Sequence, residues 1–244
     1  MIDVAALAIE LHSAMQTAHP VALITERHPD LDWADARAIA IATDHLRLAA
    51  GETRIGYKLG WTSAAMREAI GIDQPNWGTL WQSQFVTGEL DLANFIHPKL
   101  EPELVWRAGP DLDIRSGEWA LGIEVVDPRF PSFDFHFLDN TADNSSSAGV
   151  AVGRFSPVDS ANLPELEVTI DDGATARTGA GANAMGSPVA ALEWLIAELA
   201  NEGRSIRPGE IVFTGGLTAP YDLEATANYT LSSPTLESVT LTAR

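Results

Sequence analysis

Residues 99–106 read KLEPELVW and residues 119–126 read WALGIEVV. Both runs are short and rich in aliphatic, β-branched and aromatic residues, with turn formers nearby, which is the signature of strands. The same texture recurs from about residue 84 in FVTGEL (85–90), LEVTI (166–170), EIVFTGG (210–216) and SVTLTA (238–243). One helical stretch interrupts it. From Pro188 to Ala200 a helix fits, in which Val189, Leu192, Trp194, Leu195 and Leu199 are apolar, and Asn201 to Gly203 closes it. Strands outnumber helices here and do not alternate with them strictly, so an α+β fold is predicted rather than a doubly wound parallel sheet.

The residues upstream read as helical. Val4, Leu7, Ala8, Leu11 and Met15 follow the spacing of one helix face, which His19-Pro20 ends. A second helix is expected from about Asp32 to a stop at Gly51. IGYKLG (55–60) reads as a short strand bounded by glycines, and Thr62 is placed to cap a helix running through Ile70 to Gly71. The expected organisation is a helical region, residues 1–54, packed on a catalytic β-rich domain, residues 55–244.

Composition excludes several functions. The 244 residues include 45% hydrophobic and 20% charged residues, which is globular usage. No apolar run approaches the ~20 residues that span a bilayer. The formal charge of −19 repels phosphate backbones and anionic lipid, so neither nucleic acid nor membrane is an expected partner. With no cysteine there is no disulfide, thiol nucleophile or thiolate metal site. The N-terminus carries acids and no basic segment before its apolar residues, so a cytoplasmic location is expected. The seven tryptophans suit either large apolar contacts between subunits or a core.

Several motifs fail. Residues 179–184, GAGANA, match a dinucleotide fingerprint in letters only, because ATART precedes them where an apolar strand is needed, and Gly186 and Pro188 break the helix that should open directly after them. There is no Walker A sequence, no GxSxG elbow and no HExxH pairing among the six histidines.

Three acids stand where acids are costly. Glu101 and Glu103, at i and i+2, project from one face of a strand, and Glu124 lies among aliphatics in ALGIEVVD. Spacing leaves two arrangements open. The three carboxylates converge on a divalent cation, Mg2+ or Mn2+, or they alternate outward on a half-exposed sheet. Of the 15 basic residues only Lys58 and Lys99 are lysines. Lysine gives up its proton when desolvated and arginine does not, so Lys58, between Tyr57 and Leu59, is a candidate for proton chemistry.

IGYKLGWTS, IDQPNWGTL, IHPKLEPEL, IEVVDPRF, ADNSSS, TGAGANAMGSPVAALEWL and IVFTGGLT occur in one order. In that order the chain resembles the 2-oxo-4-pentenoate (2-hydroxypenta-2,4-dienoate) hydratases and the similar 4-oxalocrotonate decarboxylases of the fumarylacetoacetate hydrolase superfamily. The resemblance covers residues 54 to 218 in full motifs. It implies a mixed β-roll core with N-terminal helices and a divalent-metal site, Mg2+ or Mn2+, held by Glu101, Glu103 and Glu124. It implies proton transfer at Lys58. It also implies a substrate pocket lined by Asp143, Asn144, Ser145 and Ser146 with Gly215, Gly216 and Thr218. The activity implied is addition of water to a 2-hydroxy-2,4-dienoate or 2-oxo-4-enoate, giving a 4-hydroxy-2-oxo acid in the catabolism of aromatic-ring cleavage products.

The chain departs from the family pattern at Trp61, at Gln82-Ser83 where an acidic pair is common, at Pro128 and at Ser187. Arg129 is expected either to bind a carboxylate or to pair with Asp127. The alternatives to hydratase are a metal-dependent decarboxylase of a 2-oxo diacid, an acylpyruvate C–C hydrolase, and a non-catalytic partner subunit. A homo-oligomer is expected, and association with a decarboxylase or hydratase relative fits the same resemblance.

Overall fold

The computed structural model describes residues 2–115 and 117–244. Among these residues the chain begins with α1 (Val4–Thr17), α2 (Ile24–Arg27) and α3 (Trp33–Ala49). Then come β1 (Arg54–Gly60), α4 (Ala64–Ile70), β2 (Asn76–Trp81), β3 (Glu89–Leu90), β4 (Lys99–Arg107), β5 (Glu118–Val126) and α5 (Phe137–Ala142). The remainder is β6 (Ser147–Val152), β7 (Ser156–Pro157), β8 (Glu167–Asp171), β9 (Ala176–Ala180), α6 (Pro188–Asn201), β10 (Ile211–Phe213), β11 (Tyr221–Asp222), β12 (Asn228–Ser232) and β13 (Val239–Ala243).

The strands form two mixed sheets. The larger runs β2-β1-β10-β4-β5-β6, with β11 beside β4 and β7 beside β5. In it β1 and β10 are parallel, while β4 is antiparallel to both β10 and β5. The smaller runs β3-β13-β12-β8-β9. This is the predicted α+β class. Trp106 and Trp119 face each other across β4 and β5, and with Leu104, Leu121, Leu192, Leu195, Leu231 and Leu241 they join both sheets and α6 in one core. Trp77, Trp81, Trp106 and Trp119 are all fully buried, so most of the tryptophans build this chain's own interior.

Local chemistry explains the helix ends. Ser187 caps α6 by accepting from Val189 N, and Pro188 opens the helix, where its missing N–H leaves nothing unpaired. Ser187, noted in the sequence as a departure from the resembled pattern, thus has a capping role. At α4 the cap is Ser63 rather than Thr62, which is buried. Leu7, Leu11, Ile24 and Ile39 pack with Phe130 and Ala142, so the first helices rest on α5 and the segment after β5. Arg37 ties α3 onward, pairing with Glu202 at 2.8 Å and stacking over Trp77. Among the described residues no helix is long and apolar enough to cross a membrane.

Some elements differ from expectation. FVTGEL contributes only Glu89–Leu90 as strand, because its Phe85 makes a single bridge to Val150 and Gly88 turns with a positive φ. Strands β2, β6 and β9 carry no clear alternation in sequence and were not expected; β12 was not expected either, although Tyr229 and Leu231 alternate inward along it. The glycines of GAGANA serve close packing: a Cβ on Gly179 or Gly181 would overlap the carbonyls of Leu217 or Leu163.

Candidate metal centre

The register of β4 against β5 decides the site. Glu101 lies directly opposite Glu124, and Glu103 opposite Gly122. Like charges facing each other across strands are destabilising unless something compensates them. The three carboxylates offer oxygens within 4.8 Å of one another. Glu103 and Glu124 are 0% exposed. Glu103 Oε2 accepts from Gly215 N at 2.7 Å, but Glu103 Oε1 and Glu124 Oε1 are buried without a hydrogen-bond donor. Glu124 Oε2 faces Lys58 Nζ as an ion pair at 3.3 Å. The arrangement is the convergent one of the two that spacing left open.

Burial raises the proton affinity of all three acids. Glu101 is raised by desolvation against the pull of Lys58. Glu103 is pushed well above the carboxylate range by desolvation and then by its neighbours Glu124 and Glu101. Glu124 is pushed up to about 7, again first by burial, with Lys58 opposing. One ammonium does not neutralise three carboxylates, two of them fully buried and the third, Glu101, partly so. An all-oxygen donor set with unpartnered acceptors fits a hard divalent cation such as Mg2+ or Mn2+. Glu101, Glu103 and Glu124 are the residues that could hold one.

Lys58 lies on β1, two strands from β4, and is 2% exposed. Its Nζ donates to the Ser145 carbonyl at 2.9 Å and to Ser145 Oγ at 3.0 Å. Of the four residues Asp143 to Ser146, Ser145 is the one that reaches Lys58. The Asp143 carboxylate is turned to the backbone and side chain of Arg129. The Asn144 amide pairs with the backbone of Thr79, and Ser146 Oγ accepts from Asn140. Gly215 and Gly216 line the carboxylates: Gly215 N bonds Glu103, and a Cβ on Gly216 would contact Glu101. Thr218 is partly exposed, and its hydroxyl donates to the Ala219 carbonyl at 2.9 Å.

Arg129 pairs with neither a free carboxylate nor the Asp127 side chain. Its guanidinium meets Asp143 and donates to the carbonyls of Asp127 and Ser147. Lys99 Nζ pairs with Asp222 at 3.0 Å and sits over the Phe133 ring. Gln82 and Ser83 lie just past the end of β2 remote from Asn76, where Ser83 meets Arg47 and Glu52, so this departure leaves the carboxylates untouched. Two buried residues were not singled out from sequence, Asn76 and Asn140. A polar residue next to Trp77 in NWGTLW was the available signal.

The fold is of the fumarylacetoacetate hydrolase type, shared with a Yersinia pestis protein assigned to the fumarylacetoacetate hydrolase family at a TM-score of 0.59 and 10% identity over 79% of this chain and 94% of that one. A 2-keto-4-pentenoate hydratase from Burkholderia vietnamiensis is 32% identical over 98% of this chain and 97% of its own. A 4-oxalocrotonate decarboxylase from Pseudomonas putida is 31% identical over 97% and 95%. The solved 4-oxalocrotonate decarboxylase of Pseudomonas putida G7, complexed with magnesium and adipate, superposes with a TM-score of 0.93 at 28% identity over 99% of this chain and 97% of that one. A fumarylpyruvate hydrolase from Pseudomonas aeruginosa shares the fold alone, with a TM-score of 0.60 at 16% identity over 78% and 89%. No family model matches the chain. The chain belongs to the family of 2-keto-4-pentenoate hydratases and 4-oxalocrotonate decarboxylases.

Proposed function

We propose that this protein is a divalent-metal-dependent hydratase of a 2-hydroxy-2,4-dienoate, acting on products of aromatic-ring cleavage. The observation that carries the reading is the meeting of Glu101, Glu103 and Glu124 with Lys58 at one buried point. A divalent cation held by the three glutamates would supply Lewis-acid polarisation of a 2-oxo acid. Lys58 would carry the proton from the 2-hydroxyl oxygen to C5, turning the dienol into a conjugated ketone to which water adds at C4. The product is a 4-hydroxy-2-oxo acid. The Ser145 carbonyl and hydroxyl hold the lysine, which is buried beside Glu124.

A decarboxylase is the second reading, favoured by the 0.93 TM-score to a decarboxylase complexed with a dicarboxylate. A diacid substrate needs a cation for its second carboxylate. Arg129, the candidate offered by sequence, is engaged by the buried Asp143, which supports the monoacid. A homo-oligomer and a cytoplasmic setting belong to the same proposal. The test is product identification with the purified protein and Mg2+ on 2-hydroxypenta-2,4-dienoate and on 2-oxohex-3-enedioate. Hydration of the first without CO2 release from the second is expected. CO2 release from the diacid alone would replace the hydratase by the decarboxylase.

A further inference from the structure

The polar side chains behind Lys58 form one buried chain of hydrogen bonds. Ser145 Oγ donates to Asn76 Oδ1 at 2.8 Å. Asn76 Nδ2 donates to Asn140 Oδ1 at 2.7 Å and to Thr141 Oγ1 at 3.0 Å. Asn140 Oδ1 also accepts from Trp61 Nε1 at 2.9 Å. Asn76 is 0% exposed, and a Cβ on Gly60 would overlap both Ser145 Oγ and Asn76 Oδ1, so there is no room for water among them.

Each link fixes the direction of the next. An indole N–H can only donate, so the Asn140 atom facing Trp61 is the oxygen. The Asn76 atom facing that oxygen must then be the nitrogen, which turns Asn76 Oδ1 to Ser145. A hydroxyl has one proton. Given to Asn76, it leaves Ser145 Oγ only lone pairs to offer Lys58. Were Asn76 unable to accept, the Ser145 proton could rotate toward Lys58 and oppose the ammonium.

The backbone points the same way. Asn144, Ser145 and Ser146 all adopt left-handed conformations, with φ of 53, 54 and 56°. Three consecutive non-glycine residues in that region persist only where their surroundings over-determine them. The turn aims the Ser145 carbonyl and hydroxyl together at Lys58 Nζ.

We propose that Asn76 is a positioning residue for Lys58: it fixes the Ser145 hydroxyl as a pure acceptor, and thereby holds Nζ against Glu124. Its consequence for catalysis rests on the function proposed above; its effect on Lys58 does not.

The chain has only two lysines, so lysine labelled with 13C at Cε gives spectra that Lys58→Arg resolves at once. In the full-length protein with Mg2+, the two ε protons of an immobilised Lys58 should be inequivalent. Asn76→Ala should collapse that inequivalence and leave Lys99 unmoved. In the same variant kcat should fall on the order of 10–100-fold, as for other supporting partners, with KM nearly unchanged. Asn76→Ala added to Ser145→Ala should cost nothing further, because both act through one hydroxyl. An unchanged Lys58 signal, or additive losses in the double variant, would overturn the inference. If Asn76→Ala is unstable, Ser145→Ala removes the same hydroxyl from Lys58 and should also collapse the inequivalence; its persistence there would overturn the inference equally. A wild-type protein that hydrates no dienoate would sink the proposed function, and the Lys58 spectrum would still decide the role of Asn76.

Discussion

Glu101 on β4 and Glu124 on β5 are direct cross-strand partners, two acids facing each other in the middle of an antiparallel pair. With Glu103 two residues on, the pairing concentrates negative charge that the folded chain offsets with one ammonium, Lys58. Two such acids would not share a strand pair for stability alone.

The first prediction concerns that cluster. Alanine at Glu101, Glu103 or Glu124 should weaken Mg2+ binding by more than the roughly 10–100-fold typical of supporting partners, and activity should fall with it. Calorimetric titration of the purified variants measures this. Retained affinity in the Glu124 variant would remove it from the metal site.

The second concerns pH. In the metal-free protein the Glu124 carboxyl is raised from 4.5 to about 7, first by burial. A group raised on folding contributes stability fully below its unfolded value and loses it as pH rises through the folded one. The metal-free protein should therefore lose stability between about pH 4.5 and 7 relative to Glu124→Gln. Saturating Mg2+ should remove the difference, since the cation replaces the proton. Parallel melting curves for the two metal-free proteins would contradict this.

The two lysines should separate cleanly. Lys58→Arg keeps a charge but cannot exchange the proton, and kcat should fall on the order of 10²–10⁴-fold. Lys99→Arg should be nearly neutral, because Lys99 pairs with Asp222 and Lys58 is the lysine that pairs with Glu124. Steady-state kinetics on both decides it. An unchanged kcat in Lys58→Arg would mean that Lys58 serves only as charge.

Gly215 is the fourth test. It has a φ of 114°, and a Cβ there would overlap Thr62 Oγ1. Its N–H also holds Glu103 Oε2 at 2.7 Å. Gly215→Ala should cost about 1–3 kcal/mol from the backbone alone, more with the overlap, and should weaken Mg2+ binding. Denaturant melts check the first and titration the second. Unchanged stability would show that the turn relaxes freely.

Much of this was legible in the residue order. Periodicity marked α1, because an amphipathic helix carries its burial pattern locally, and start and stop residues marked α3 and α6. The i, i+2 spacing put Glu101 and Glu103 on one face, and the motif order named Lys58 and Glu124. What sequence alone could not decide was whether three carboxylates met, since that depends on the register of β4 against β5, and a one-residue slip would have sent Glu124 to the other face. Nor could it assign Arg129, which meets Asp143 because the chain doubles back through α5. Asn76 was invisible for the same reason. It gains its meaning from Asn140 and Ser145, 64 and 69 residues away along the chain, and only folding brings their hydrogen-bonding groups within reach.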